Sequence, residues 1–332
     1  MMNYEEFKSY VVEHVNEYLP EGMKPCDVSI SEVYKVNTKL DSLTIRPLGA
    51  NISPSIYLDN YYERYRYSNN IESVLHNIVT MWTNAIEDTE VKIGMRDEKL
   101  EQIRNKEYVS KNVFFMFVNT EMNKDYLKEI PHREFLDLSI IYRVVVSKTH
   151  DGTASYSINN EFFSSMGFSE QELYDLAREN TFRIFESCFD SLSDYVISSL
   201  NEKLLEIDPY DPAYKTISDQ IEDLEASAGE PVYVITNKTR LNGAIEILNS
   251  DFMEKAAEII EDDFYIIPSS IHECLICPVS KASETDVLNM VITTNRDAVD
   301  TKDILANSVY KYTRKTGEIT LAATQTDLFG VA

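Results

Sequence analysis

The chain is poor in the residues that build ready-made chemistry. Its 332 residues include 9 Gly, 10 Pro, 5 His, 4 Cys and a single Trp. With so little glycine, neither G-x-G-x-x-G nor G-x-x-x-x-G-K-[ST] occurs, which excludes nucleotide binding by those two phosphate loops. Low Gly and Pro beside 43% hydrophobic and 26% charged residues is the composition of an ordinary globular protein and argues against long disorder. The longest apolar runs, such as Val113-Phe-Phe-Met-Phe-Val118, fall far short of the roughly 20 residues that span a bilayer, so no membrane association is expected. The start, Met1-Met-Asn-Tyr-Glu-Glu-Phe7, lacks a basic region leading into an apolar one, which predicts no secretory signal. On that basis Cys26, Cys188, Cys274 and Cys277 are expected to be reduced thiols in the cytoplasm.

Basic residues are also scarce: 31 Lys and Arg against 56 Asp and Glu, a net charge of −25. Phosphate recognition depends on Lys and Arg clusters, so direct nucleic-acid binding is not expected. The acidity has a plain reading, solubility, and a sharper one, a surface that mimics nucleic acid and captures a basic protein. Between Glu202 and Glu230 nine acidic residues face two lysines, a local charge of −7, opposite an apolar stripe. Such a face is solvated.

What the chain does have is clear periodicity. Phe7, Val11, Val15 and Leu19 predict an amphipathic helix over Tyr4–Leu19, stopped by Pro20 and Gly22. Val28–Val36 and Leu43–Pro47 predict a hairpin. In Asn51-Ile-Ser-Pro-Ser-Ile-Tyr-Leu58, Ser53 as cap, Pro54 at the first helical position and an Ile52–Tyr57 staple predict a helix carrying Tyr57, Tyr61 and Tyr65 on one face. That stripe is read mainly as packing, with an exposed binding face as the alternative. A helix over Ile71–Ile86 follows, and after a charged stretch a strand is expected at Asn112–Val118. The apolar run from Phe135 to Val146 reads as a central strand, with Ala154–Ile158 as its hairpin partner around His150-Asp-Gly-Thr153. Ser169-Glu-Gln-Glu172 is a capping box. Helices are expected near Asp190–Glu206, Tyr214–Leu224 and Asn242–Asp262, strands at Val232–Ile235 and on both sides of Pro268, and a last hairpin around Lys315-Thr-Gly317. Hairpins and helical pairs in place of regular strand–helix alternation predict an α+β fold with mixed, largely antiparallel sheets and packed helices. The expected organisation is two lobes, residues 1–105 (helix, hairpin, helix) and 106–322 (α+β), with a tail over 323–332.

The densest group of reactive residues is Asp263-Phe-Tyr-Ile-Ile-Pro-Ser-Ser-Ile-His-Glu-Cys-Leu-Ile-Cys-Pro278. On extended chain Ser270, His272 and Cys274 share one face, and Ser269, Ile271 and Glu273 the other. Ser270 and His272 could form a nucleophile–base pair, but Glu273 could not orient the imidazole from the opposite face. No Gly-x-Ser-x-Gly elbow occurs. The competing reading, a Pro268-Ser-Ser270 turn between two core strands, is favoured. Cys274 and Cys277, three apart on a strand, point to opposite faces, and a zinc site would need two more ligands than the neighbourhood offers, so no metal site and no cofactor is assigned. The remaining histidines are scattered, without His-x-x-x-His or His-Glu-x-x-His; His132 is expected to join a structural carboxylate network. Asp262 and Asp263 lack calcium-loop spacing.

Several phrases, in order, resemble one bacterial family catalogued as a domain of unknown function, DUF5688. They are Asn51-Ile-Ser-Pro-Ser-Ile-Tyr-Leu58, Pro131-His-Arg-Glu-Phe-Leu-Asp137, Gly167-Phe-Ser-Glu-Gln-Glu-Leu173, Ala177-Arg-Glu-Asn180, Tyr265-Ile-Ile-Pro-Ser-Ser-Ile-His-Glu273, and Asn295-Arg296 followed by Val309-Tyr310. The resemblance spans about residues 25 to 315. It implies no activity and transfers no catalytic residue; similar proteins occur in gut bacteria and on mobile elements, which implies an accessory or host–element role. The expectation is therefore a cytoplasmic, non-enzymatic interaction or regulatory protein with an unidentified protein partner. Its candidate binding residues are Tyr57, Tyr61, Tyr65 and Ser269. A nucleic-acid-mimicking decoy and a hydrolase using Ser270 and His272, with Glu273 beside them, are the alternatives.

Overall fold

The chain divides into two compact units, Met1–Asn105 and Lys106–Ala332, each with buried hydrophobic clusters of its own. The computed structural model describes residues 1–48, 53–93, 103–149, 152–226 and 232–329.

The first unit begins with α1 (Tyr4–Tyr18), capped by Asn3 and Glu6 in a reciprocal capping box. Phe7, Val11 and Val15 are buried along one face. The strands β1 (Cys26–Lys35) and β2 (Thr38–Pro47) pair in register from Cys26–Pro47 to Lys35–Thr38. Here the sequence expectation fails at one place. Residues Ser55–Tyr57 form a strand, β3, paired to β2, and the helix α2 starts only at Asp59 and runs to Ser68. The reason lies in β2's free edge. The Ser53 hydroxyl donates to the Ile45 carbonyl instead of capping a helix, and the Trp82 indole N–H donates to that same carbonyl at 2.8 Å, so the chain is laid along β2. Ile52 lies outside the described residues. The helix α3 (Ile71–Ile93) buries Val74, Leu75, Ile78 and Trp82 and leaves Met81 exposed.

In the second unit every strand pair among the described residues is antiparallel. The apolar run becomes β6 (Leu138–Thr149), flanked by β4 (Val113–Asn119) on one edge and by β5 (His132–Phe135) and β7 (Gly152–Ser157) on the other. His150 and Asp151 of its expected turn lie outside the described residues. The Glu170–Ile184 helix, with the predicted Ser169 capping box, packs on β4, where the Phe115 N–H donates to the Thr181 hydroxyl at 3.0 Å. A second sheet has the order β13-β12-β10-β11-β9-β8, with β8 (Ser187–Ser191), β9 (Tyr233–Asn237), β10 (Phe264–Pro268), β11 (Cys274–Pro278), β12 (Ser308–Thr313) and β13 (Glu318–Thr324). The fold is α+β. Three local readings change. Residues Ser187–Ser191 are a strand, so the helix expected near Asp190–Glu206 begins at Leu192 and runs to Glu206. The stretch expected as one helix from Asn242 is a 3₁₀ segment, Gly243–Leu248, followed by the Ser250–Ile260 helix. Asn249 separates them because its side chain caps the second helix. β13 continues to Thr324 and a helical turn, Gln325–Phe329, follows it.

Candidate functional site

The turn between β10 and β11 is a knot of intrachain hydrogen bonds. The chain is not extended there, so the two-face alternation does not apply. The Ser270 N–H donates to the Glu273 carbonyl at 3.2 Å, and the Ser270 hydroxyl donates to Glu273 Oε1 at 2.9 Å while accepting the His272 N–H at 2.9 Å. Ser270 and Glu273, expected on opposite faces, are therefore partners. The imidazole turns elsewhere. The Asn242 N–H donates to His272 Nδ1 at 3.1 Å, so Nδ1 carries no proton and the ring N–H sits on Nε2, 3.5 Å from Asp303 Oδ1. The His272 carbonyl accepts from Thr236 Oγ1 at 2.8 Å, and the Ile271 N–H donates to the Asp303 carbonyl at 2.8 Å.

Gly243 shows how tightly this knot is drawn. A Cβ there would lie 2.3 Å from Thr236 Oγ1, 2.6 Å from the His272 carbonyl oxygen and 2.8 Å from the Asn237 nitrogen. Only glycine fits that approach. Chemically, Ser270 is 7% exposed and its hydroxyl proton is committed to Glu273; the one lone pair with which His272 could act as a base is committed to Asn242. Asn242, Thr236, Gly243 and Asp303 were not singled out in the sequence. The Asn242-Gly243 pair marks a turn, but nothing local says that it docks on residues thirty positions away.

A cleft of about 520 Å³ opens elsewhere in the same unit. Its apolar surface comes from Phe135, Ile247, Met253, Tyr312 and Ile319, and its polar rim from Glu254, Arg314, Lys315 and Thr316. The rim cations stand on the β12–β13 turn, closed by the Thr316 and Gly317 N–H groups donating to the Thr313 carbonyl, with Gly317 at φ +70°. Asp263 anchors this turn, accepting the Arg314 N–H at 3.0 Å and facing Lys311 Nζ at 3.3 Å. Phe135 reaches the cleft from the other sheet because Asp137 holds the β5–β6 turn to β12, accepting from the Ser308 hydroxyl at 2.6 Å and the Tyr310 hydroxyl at 2.7 Å. Between them Leu136 sits at φ +55°, a conformation that costs a branched residue about 1 kcal/mol, with its side chain 46% exposed. Burial and then Glu254 push the Tyr312 phenol above its ordinary pKa, keeping it a neutral donor.

A model for a family of unknown function, DUF5688, matches residues 4–314. The chain belongs to that family. No curated protein and no solved structure matches it.

Elsewhere in this DUF5688 chain the other residues read from the sequence find structural roles. Tyr57 lies on β3, Tyr61 and Tyr65 on α2, so the three do not share a helix face. Tyr65 is buried, stacked on Phe7 at 5.6 Å, and its hydroxyl accepts the Met2 N–H; Tyr57 and Tyr61 are half-buried beneath Lys35 and Arg64. Ser269 is half-buried at the end of β10. Cys274 and Cys277 are both buried on β11 and form no disulfide, and burial pushes the Cys274 thiol far up. Among the described residues no group of His, Cys, Asp and Glu is placed to hold a metal. His132 Nδ1 bonds the Ile130 carbonyl; it is Arg133 that makes the carboxylate network, pairing with Glu170 and lying 3.8 Å over the Tyr174 ring. Glu246 is fully buried on the 3₁₀ segment, with Oε2 accepting from the Ser187 hydroxyl at 2.6 Å and Oε1 without a partner. Burial raises its pKa to about 7. No helix among the described residues is long and apolar enough to cross a membrane.

Proposed function

We propose that the chain is a non-enzymatic interaction protein of the cytoplasm that works by holding a segment of a partner protein in the Phe135–Tyr312–Arg314 cleft. The observation that carries this reading is the contrast between the two polar clusters. Around Ser270 and His272 each reactive atom is engaged by its own chain, and the cluster behaves as a latch that fixes β10, β11 and the 3₁₀ segment. Around the cleft, the half-exposed Phe135 and Ile319 and the exposed cations Arg314 and Lys315 stand over a floor of buried Ile247, Met253 and Tyr312. Among the described residues the Arg314 and Lys315 side chains make no ion pair, whereas other cations of this acidic chain, Lys8, Lys39, Lys111, Lys128, Arg133 and Arg240 among them, are bonded to a neighbouring carboxylate. A cleft of this volume falls within the roughly 300–1,000 Å³ of ligand sites. The hydrolase reading has less support, because among the described residues the imidazole next to Ser270, that of His272, holds Asn242 and faces Asp303.

The test is a paired capture from the native cytosol, using the wild-type chain and Ile319→Arg, which fills and charges the cleft from β13. A partner retained by wild type, lost by Ile319→Arg and kept by a surface variant such as Lys215→Glu supports the reading. A partner that binds all three equally, or none that survives a salt wash, ends it.

A further inference from the structure

The charge of the cleft specifies its occupant. We infer that the cleft takes an extended peptide segment in which an apolar or aromatic side chain is followed closely by an Asp or Glu. This rests on the binding reading above and adds the chemistry of the partner.

The apolar half follows from Phe135 and Ile319, which are half-exposed above the buried Met253 and Tyr312; the four come from separate elements around a cleft of about 520 Å³. Leu136 stands beside Phe135 with its side chain nearly half in water, at a strained φ that Asp137 holds in place through Ser308 and Tyr310. Strain maintained by a buried network, with an apolar side chain left outside, is the arrangement of a contact surface and not of a minimised turn.

The acidic half follows from Arg314 and Lys315. They are consecutive, exposed, and held at the rim by a turn whose backbone is tied to Asp263. The guanidinium offers a planar pair of donors to a carboxylate, and the ammonium adds a second charge. The overall net charge of −25 does not cancel this, because at physiological salt the remote carboxylates are screened beyond about 8 Å while a contact pair is not. Glu254, on the helix wall, repels a second acidic residue at that side. It fixes which end of the segment carries the carboxylate, so a uniformly acidic peptide is a poorer ligand than an apolar one with a single flanking acid.

The experiment is selection of random ten-residue peptides displayed against the full chain, followed by affinity measurement of a selected peptide by fluorescence polarisation. The expected result is enrichment of an aromatic or aliphatic residue with Asp or Glu one or two positions away. Affinity should fall about tenfold or more in the double variant Arg314→Glu, Lys315→Glu, and stay unchanged in Lys215→Glu. Far-UV circular dichroism checks that the variants fold. Selected peptides without an acidic residue that are lost on Ile319→Arg would overturn the charge inference and leave cleft binding standing. No enrichment, or peptides indifferent to both the double variant and Ile319→Arg, would overturn both.

Discussion

Ser270 and Glu246 are the two residues whose chemistry a single substitution reads most directly. Ser270 is the hydroxyl that a catalytic reading would make the nucleophile, yet its geometry makes it a structural hinge pin: it donates to Glu273 and accepts from the His272 N–H. Ser270→Ala should therefore lower unfolding free energy by about 2 kcal/mol, the cost of two hydrogen bonds at a mostly buried position. Urea unfolding measures it, and a variant as stable as wild type would contradict the latch. Glu246 carries a different signature. It is buried without charged neighbours: the groups on it are the Ser187 hydroxyl from β8 and Asn249 at the end of its own segment, and burial outweighs both, raising its pKa from 4.5 to about 7. Below about pH 4.5 both folded and unfolded chains keep the proton. As the pH rises through 7 the unfolded chain has already released it, so stability falls by ~3 kcal/mol and levels off above that. Carboxylates with lowered pKa values, such as Glu170 and Asp262, act below this window and with the opposite sign. Glu246→Gln should flatten the stability profile between about pH 4.5 and 7. An unchanged slope in urea titrations across that range would assign the pH response to another group.

At the level of elements, the β5–β6 turn shows what a sequence can and cannot disclose. The strands themselves were legible: the run from Leu138 to Val146 is mostly apolar because it is paired on both edges and largely buried, and the Pro268-Ser-Ser270 break between β10 and β11 is visible as turn chemistry. So was the capping box at Ser169, which is local by construction; the equally local one at Asn3 and Glu6 was passed over. Residues 53–57 were misread because a cap-like Ser-Pro was weighed by itself, while β2's free edge and the Trp82 indole, 37 positions from Ile45, decided the outcome. The cleft was invisible for the same reason. Phe135, Met253 and the hairpin pair Tyr312 and Ile319 are far apart in the chain, and Asp137 meets Ser308 across 171 positions. That long-range tie is also the element's weak point. Asp137→Ala leaves the buried Tyr310 hydroxyl without its acceptor and releases Phe135 and Leu136, so stability should drop by about 2–3 kcal/mol. Affinity for a selected peptide should fall with it, while Asp137→Asn, which still accepts one of the two bonds, should recover part of both. Calorimetry and the polarisation assay read the two effects separately, and full affinity in Asp137→Ala would detach the β5–β6 turn from the binding surface.

On the scale of the whole chain, the two units have cores built from their own residues, and this has a spectroscopic consequence. The core of Met1–Asn105 draws on α1, β1–β3, α2 and α3, from Phe7 to Ile86. Its centre is Trp82, the only tryptophan in the chain, fully buried with its indole N–H on the Ile45 carbonyl. Tryptophan emission therefore reports the first unit alone. Far-UV circular dichroism is dominated by the second, which holds most of the residues and ten of the strands, β4 to β13. Cores formed separately lose their packing separately unless an interface couples them, and two-state behaviour is the expectation for a single domain, not for two. Urea unfolding followed by both signals should give midpoints that do not coincide, with the emission shifting red in its own transition. Glu246→Gln and Ser270→Ala, both in the second unit, should then move the dichroism midpoint and leave the tryptophan midpoint in place. Coincident curves that shift together in either variant would mean that the two cores unfold as one cooperative body, and the division at Asn105 would be geometric without being energetic.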